Sequence, residues 1–140
     1  MAEVGGALTS FRSAGRTLFS LGLVREAEGN LSTFDGKLLL ITRAGVSLAD
    51  LGPDDVLEGT LTAAPAGASS DFDEHVDRYR RRGPGAVAHA HPAGTVPDGW
   101  VEGRPHGRYA HAPTLEAAVA ALIDGARGAG REGSEPGAAS

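Results

Sequence analysis

Apolar positions near the start of the chain recur at helical spacing. Leu8, Phe11, Leu18 and Phe19 fall on one stripe with Arg12 and Arg16 off it, and Gly22 follows where a helix would end. Residues 30–34 then alternate, residues 37–42 form a short apolar run, and Asp35-Gly36 between them is a strong hairpin signal because both turn residues tolerate positive φ. Ser47 is placed to cap a short turn through Leu51, which Pro53 closes, and residues 56–61 read as another strand. Residues 63–68, rich in Ala, Pro and Gly, read as a loop.

A second helix is expected from Ser69-Ser70, with Phe72, His75, Val76 and Tyr79 on its buried face. Asp71, Asp73 and Glu74 lie in its first turn and Arg80, Arg81 and Arg82 in its last, so both ends complement the helix dipole; Gly83-Pro84 is the stop. Residues 86–91 alternate with the period of a strand, and Pro92 ends it. A Gly- and Pro-rich connection is expected over residues 93–113. Thr114 then caps a third helix whose stripe is Leu115, Val119, Leu122 and Ile123. Residues 127–140 lack periodicity and read as a disordered tail behind one α/β domain spanning residues 1–126.

Composition narrows the classes of function. The 140 residues carry a formal charge of −5 and no basic stripe interleaved with aromatics, which argues against a nucleic-acid partner. There is no cysteine, so a metal would have to be held by His, Asp or Glu, as suits a reducing compartment. No run approaches the roughly 20 apolar residues of a membrane span, and the N-terminus does not resemble a signal peptide. The expected setting is the cytoplasm.

The candidate chemistry lies in His89 and His91. Two apart on a strand, they point to one face with Cα atoms about 6.5 Å apart, and two such imidazoles can converge on one cation. An isolated pair of this kind equally fits one packed and one exposed imidazole. Asp71 and His75, one helical turn apart, add a carboxylate near the pair and a second core-facing histidine, which reads as packed or supporting rather than ligating. Asp71 also has a local reading as a helix-start acid.

In order along the chain, these residues resemble the class II aldolase/adducin family. Gly29-Asn30-Leu31-Ser32 is similar to the family's Gly-Asn-x-Ser motif, residues 40–45 (Leu-Ile-Thr-Arg-Ala-Gly) to its Ile-Thr-x-Ser/Thr-Gly turn, and residues 51–55 to its Leu-x-Pro-x-Asp connection. Ser69-Ser70-Asp71, His75, Tyr79 and then residues 86–92, with His89 and His91, follow its Ser-Ser-Glu…His…Tyr…His-x-His order. The resemblance implies a three-layer α/β/α fold with a mostly antiparallel central sheet. It implies that His89 and His91 bind a divalent metal, usually zinc in the family, and that Asp71 is the proton carrier. It also implies that Asn30, the turn at Gly45, Ser69 and Ser70 cradle a substrate phosphate, while locally these residues read as a turn cap, a positive-φ glycine and helix caps. The cation would stabilise, as a Lewis acid, the charge that develops when a carbon–carbon bond breaks.

The departures from the family pattern are specific. Asp71 stands where the family has glutamate, and Ala44 where it has a hydroxyl residue. The family's third metal histidine, on an Asn-His-Gly strand, and its C-terminal tyrosine segment have no counterpart. His106 or His111, both in the downstream loop, could substitute for the former, although exposed loop histidines are common, and Tyr109 is available for the latter. Two readings follow: a metal-dependent lyase acting on a small, possibly phosphorylated hydroxy-carbonyl compound, or a non-catalytic descendant of the fold serving as a metal-binding or protein-interaction domain. In either, apolar surface left uncovered by the shortened chain predicts a homo-oligomer.

Overall fold

The computed structural model describes residues 2–25, 28–90 and 108–130. Helix α1 (Ala2–Ser20) leads into strands β1 (Asn30–Phe34), β2 (Leu39–Thr42) and β3 (Val56–Gly59), then helix α2 (Phe72–Arg82), strands β4 (Gly85–Ala90) and β5 (Arg108–Ala112), and helix α3 (Leu115–Gly130). The five strands form one sheet in the order β3-β2-β1-β4-β5, and every pairing is antiparallel.

Because strand side chains alternate, the sheet has two distinct faces. One carries Leu31, Leu40, Ala86, Ala88 and Ala90 and packs with Phe11, Ala14 and Leu18 of α1 and Leu115, Ala118, Val119 and Leu122 of α3 into the larger core. The opposite face packs Leu39 and Val87 against Tyr79 of α2, with Phe34, Phe72 and Tyr109 around them. The expected three layers are therefore present, with α1 and α3 on one side and α2 on the other.

Several local expectations hold. Ser47 Oγ accepts from the Ala49 amide at 3.2 Å and caps the 3-10 turn Leu48–Asp50. Thr114 Oγ1 accepts from the Ala117 amide at 3.1 Å. Gly22, at φ 74°, ends the first helix while the Leu23 amide donates back to the Leu18 carbonyl.

Other boundaries moved. Phe19, expected on the buried stripe, is 41 % exposed; the stripe runs instead through Phe11, Ala14 and Leu18. Gly15 lies between those turns, where a Cβ would come 2.1 Å from the Leu48 carbonyl oxygen, so its lack of a side chain admits the 3-10 turn against α1. The hairpin turn is four residues rather than two, because Phe34 pairs with Leu39 and Asp35 Oδ1 accepts from the Lys37 and Leu38 amides, each at 2.8 Å. The third strand stops at Gly59, short of Leu61, and Pro53 opens a second 3-10 turn, Pro53–Asp55, rather than only closing the first. The largest correction concerns residues 93–113: the end of this expected connection is β5, a full edge strand paired with β4. Helix α3 runs to Gly130, past the expected limit at residue 126, and residues 131–140 lie outside the described residues.

Candidate active site

The site is assembled by one register row. Asn30 of β1 lies opposite His89 of β4, and His89 lies opposite Tyr109 of β5, so three polar side chains stand abreast on the α2 face. Gly29 makes the row possible. It holds φ 81°, and a Cβ there would approach the His89 carbonyl oxygen at 2.8 Å and Val24 Cγ1 at 2.7 Å, so only glycine brings the chain into β1 at this point.

Above the row sits Asp71. The second helix begins at Phe72, later than Ser69-Ser70, with Asp71 as its N-cap; the carboxylate makes no capping bond. Instead Asp71 Oδ2 accepts from Asn30 Nδ2 at 2.9 Å and stands 3.5 Å from His89 Nε2. The acid one methylene shorter than the family glutamate therefore still reaches the histidine. Ser69 is drawn in by its amide, which donates to the Thr42 carbonyl, and by the Arg43–Ala68 bridge, which brings this loop beside the Ala44-Gly45 turn. Ser69 Oγ accepts from the Asp71 amide at 3.2 Å, leaving its own proton to donate.

These residues line a cleft of about 380 Å³ whose walls include Asn30, Arg43, Gly45, Ser69, Ser70, Asp71 and His89. Six of the seven residues singled out from sequence thus meet at one cavity. The seventh, His91, lies outside the described residues, as does His106. His111 is elsewhere: its Nε2 meets the Gly83 carbonyl at 2.9 Å and its ring packs edge-on against Tyr79, which removes it as a substitute ligand at the cleft.

Behind the cleft stand His75, which the sequence marks as packed or supporting, Ser32 and Tyr79, to which it assigns no role there, and Arg78, which it does not single out. His75 is fully buried; its Nε2 lies 2.5 Å from Asn30 Oδ1, its Nδ1 2.6 Å from Ser32 Oγ, and that oxygen 2.7 Å from the Tyr79 hydroxyl. Burial, followed by the charges of His89 and Arg78, drives the His75 pKa down to about 3, so the ring is neutral at ordinary pH. Tyr109 stacks on His89, with ring centres 4.0 Å apart and planes 20° from parallel. The guanidinium of Arg78, itself 2 % exposed, lies 3.9 Å from the Tyr109 ring centre and donates to the Glu74 carbonyl and carboxylate. Burial and the adjacent Asp71 charge push the Tyr109 phenol well above its usual range, so it keeps its proton. Ser32 was detectable as the residue two after Asn30 on the same strand face, and Arg78 as the residue three after His75 on the same helix face. Arg43, on the cleft wall, donates to the Asp54 carbonyl at 3.2 Å through Nε and lies 3.5 Å from Asp55 Oδ1.

As a donor set for a metal, the described residues offer a nitrogen and a carboxylate oxygen at the cleft, both suited to zinc-like ions. No cluster of three or more His, Asp or Glu is formed among the described residues. Two donors bound at the usual 2.0–2.1 Å of one tetrahedral ion stand about 3.4 Å apart, close to the 3.5 Å between His89 Nε2 and Asp71 Oδ2. The two groups fit a shared cation, and no third His, Asp or Glu joins them among the described residues.

Residues 10–97 match the Class II Aldolase and Adducin N-terminal domain family. Over 89 residues the chain is 40% identical to the 5-methylthioribulose-1-phosphate/5-deoxyribulose-1-phosphate aldolase of Rhodospirillum rubrum, a match covering 59% of this chain and 40% of that protein. The crystal structure of L-fuculose-1-phosphate aldolase from Thermus thermophilus superposes with a TM-score of 0.56 at 43% identity, covering 59% of this chain and 45% of that one. The structure of YgbL from Escherichia coli matches more of the chain, 93% of this one and 89% of that one, with a TM-score of 0.76; at 17% identity this is a likeness of fold alone. The chain spans less than half the length of the two sugar-phosphate aldolases it matches. With the ordered motifs gathered at one cleft and the family match running through most of the sheet, the chain belongs to the class II aldolase and adducin family.

Proposed function

We propose that the chain is a divalent-metal-dependent carbon–carbon lyase for a small phosphorylated hydroxy-carbonyl compound, a cytoplasmic sugar-phosphate aldolase in type. The observation that carries this reading is the approach of His89 Nε2 to Asp71 Oδ2 at 3.5 Å, in a cleft whose other wall is rich in anion donors. His89 and His91 would hold the cation, zinc by family habit. Bound there, it supplies Lewis-acid polarisation of the substrate carbonyl.

The chain's own residues do the rest. The backbone at Gly45, the hydroxyls of Ser69 and Ser70 and the second N–H of Asn30 offer donors to a phosphate, and Arg43 adds a positive charge at the place where Ala44 lacks a hydroxyl. Asp71 takes the proton from the hydroxyl on the carbon that becomes the aldehyde. The electron pair of the broken carbon–carbon bond moves to the carbonyl fragment, which is then protonated at carbon. The Tyr109 ring, stacked on His89, holds the imidazole plane.

The test is retro-aldol cleavage of L-fuculose 1-phosphate and 5-deoxyribulose 1-phosphate by the full chain supplied with zinc. Aldehyde release is expected, and Asp71→Asn should lower kcat by about 100-fold or more. No turnover of either compound, by protein that binds one zinc per chain, would overturn the reading. The reading also includes a homo-oligomer, supported by Phe19 and Leu21, which stand 41 % and 54 % exposed at the end of α1. Light scattering should give a mass above that of one chain; a monomer at high concentration would reject this part.

A further inference from the structure

A carboxylate in water turns freely, and one that must meet a proton at a fixed place has to be held. In this chain one set of groups that reaches Asp71 forms a continuous line through the core, from Tyr79 to Ser32, His75, Asn30 and Asp71, beside the hydrogen bond that the Tyr109 phenol makes to the same carboxylate. The contacts run between residues 41 to 47 apart in sequence, so the line exists only once α2 has docked on β1.

Chemistry fixes the direction of every bond in it. An ionised Asp71 only accepts, so the edge of Asn30 that faces it is the amide nitrogen. The Asn30 carbonyl oxygen must then face His75, and an amide oxygen only accepts, so His75 Nε2 carries the proton and donates. A neutral imidazole has one N–H; His75 Nδ1 is therefore bare and accepts from the Ser32 hydroxyl. Ser32 Oγ, its proton committed, accepts from Tyr79, whose burial keeps the phenol protonated. Each choice forces the next, and no member can be turned over without setting two donors or two acceptors face to face in the core. Unmade bonds at such places cost about 1–3 kcal/mol each, so the alternative orientations are scarcely populated.

We propose that Ser32, His75 and Asn30, anchored by Tyr79, are positioning residues that aim the Asp71 carboxylate into the cleft, with His75 held as its Nε2–H tautomer. The role of Asp71 as proton carrier is taken from the preceding reading; the aiming of its carboxylate is not. His75 touches neither substrate nor reacting atoms and acts through Asn30.

Two measurements on the full chain test this. In ring-nitrogen NMR spectra, His75 should show a protonated Nε2 and an unprotonated Nδ1, and His75→Leu should move the resonances of the Asp71 carboxyl carbon and the Asn30 side-chain amide. His75→Gln, whose amide can still donate to Asn30 Oδ1, should restore most of that shift. In turnover, His75→Leu should lower kcat at least tenfold with KM changed less than twofold, and His75→Gln should recover most of it. Ser32→Ala, which removes a donor remote from the cleft, should act in the same direction by a few-fold and guards against a Leu variant that does not fold. A proton on Nδ1, an unmoved Asp71 resonance in both His75→Leu and Ser32→Ala, or equal kcat loss in the Gln and Leu variants would overturn the proposal. A role in packing alone would lower the melting temperature and leave kcat per folded molecule unchanged, which also overturns it. Should the wild-type chain prove inactive, the aldolase reading falls while the NMR outcome decides the aiming of Asp71 by itself.

Discussion

The two faces of the sheet are built from the same strands on opposite rules. Toward α1 and α3, Leu31, Leu40, Ala86, Ala88 and Ala90 give a close-packed apolar layer in which small strand residues admit the helices. Toward α2, the neighbours of these residues in sequence include Leu39 and Val87, packed on Tyr79, but also Asn30, Ser32 and His89, all buried, with His75 bonded to Asn30 and Ser32 and Arg78 over Tyr109. A period of two lets one strand serve both faces, so the polar row enters without interrupting the apolar one. The apolar face supplies stability. The polar face uses some of it, because buried polar groups must be desolvated and are tolerated only when hydrogen-bonded.

Three perturbations would break or sharpen this contrast. The largest effect is expected from Leu31→Ala on the apolar face. Truncating this fully buried side chain should lower unfolding free energy by about 2–5 kcal/mol in urea titrations. A loss below about 1 kcal/mol would show that stability does not reside there.

The next effect, on the polar face and spread over several pH units so that it is smaller at any one step, is expected from pH. His75 has its pKa depressed from 6.5 to about 3 in the folded chain, so between those values the unfolded state binds the extra proton. The contribution of its burial is therefore complete above pH 6.5 and is lost as pH falls, at up to about 1.4 kcal/mol per pH unit. His75→Gln should flatten this slope. An unchanged slope would mean that other groups govern the acid limb.

The smallest change is expected for Arg78→Met. Arg78 Nη2 has no hydrogen-bond partner among the described residues, and an apolar side chain of similar length recovers the packing on Tyr109 without that desolvation. With Glu74→Gln made alongside, so that no carboxylate is left without its cation, thermal unfolding should show stability held within about 1 kcal/mol or raised. A loss near 3 kcal/mol would assign the Arg78–Glu74 pair a stabilising role and blur the contrast.

Chain order and local chemistry made much of the protein legible from sequence. Three helices, the Ser47 and Thr114 caps, the β1–β2 hairpin and β4 follow from spacing and turn residues, and the ordered motifs brought Asn30, Gly45, Ser69, Ser70, Asp71 and His89 forward as one group. β5 was missed although Tyr109 and His111 alternate with Ala110 and Ala112, because five residues at an edge, after a Gly- and Pro-rich stretch, carry too weak a pattern to stand alone. Phe19 was misplaced because helical periodicity marks a stripe, and only the neighbours decide how wide a stripe is covered.

What the tertiary structure alone decided is who stands behind each functional group. Capping, turn formation and periodicity are interactions among residues a few positions apart, so they are written in the sequence directly. The pairing of His89 with Tyr109, and the line from Tyr79 through Ser32, His75 and Asn30 to Asp71, depend on strand register and on the docking of α2 across the sheet. A register shift of one residue would leave every local signal intact and send each of these strand side chains to the other face.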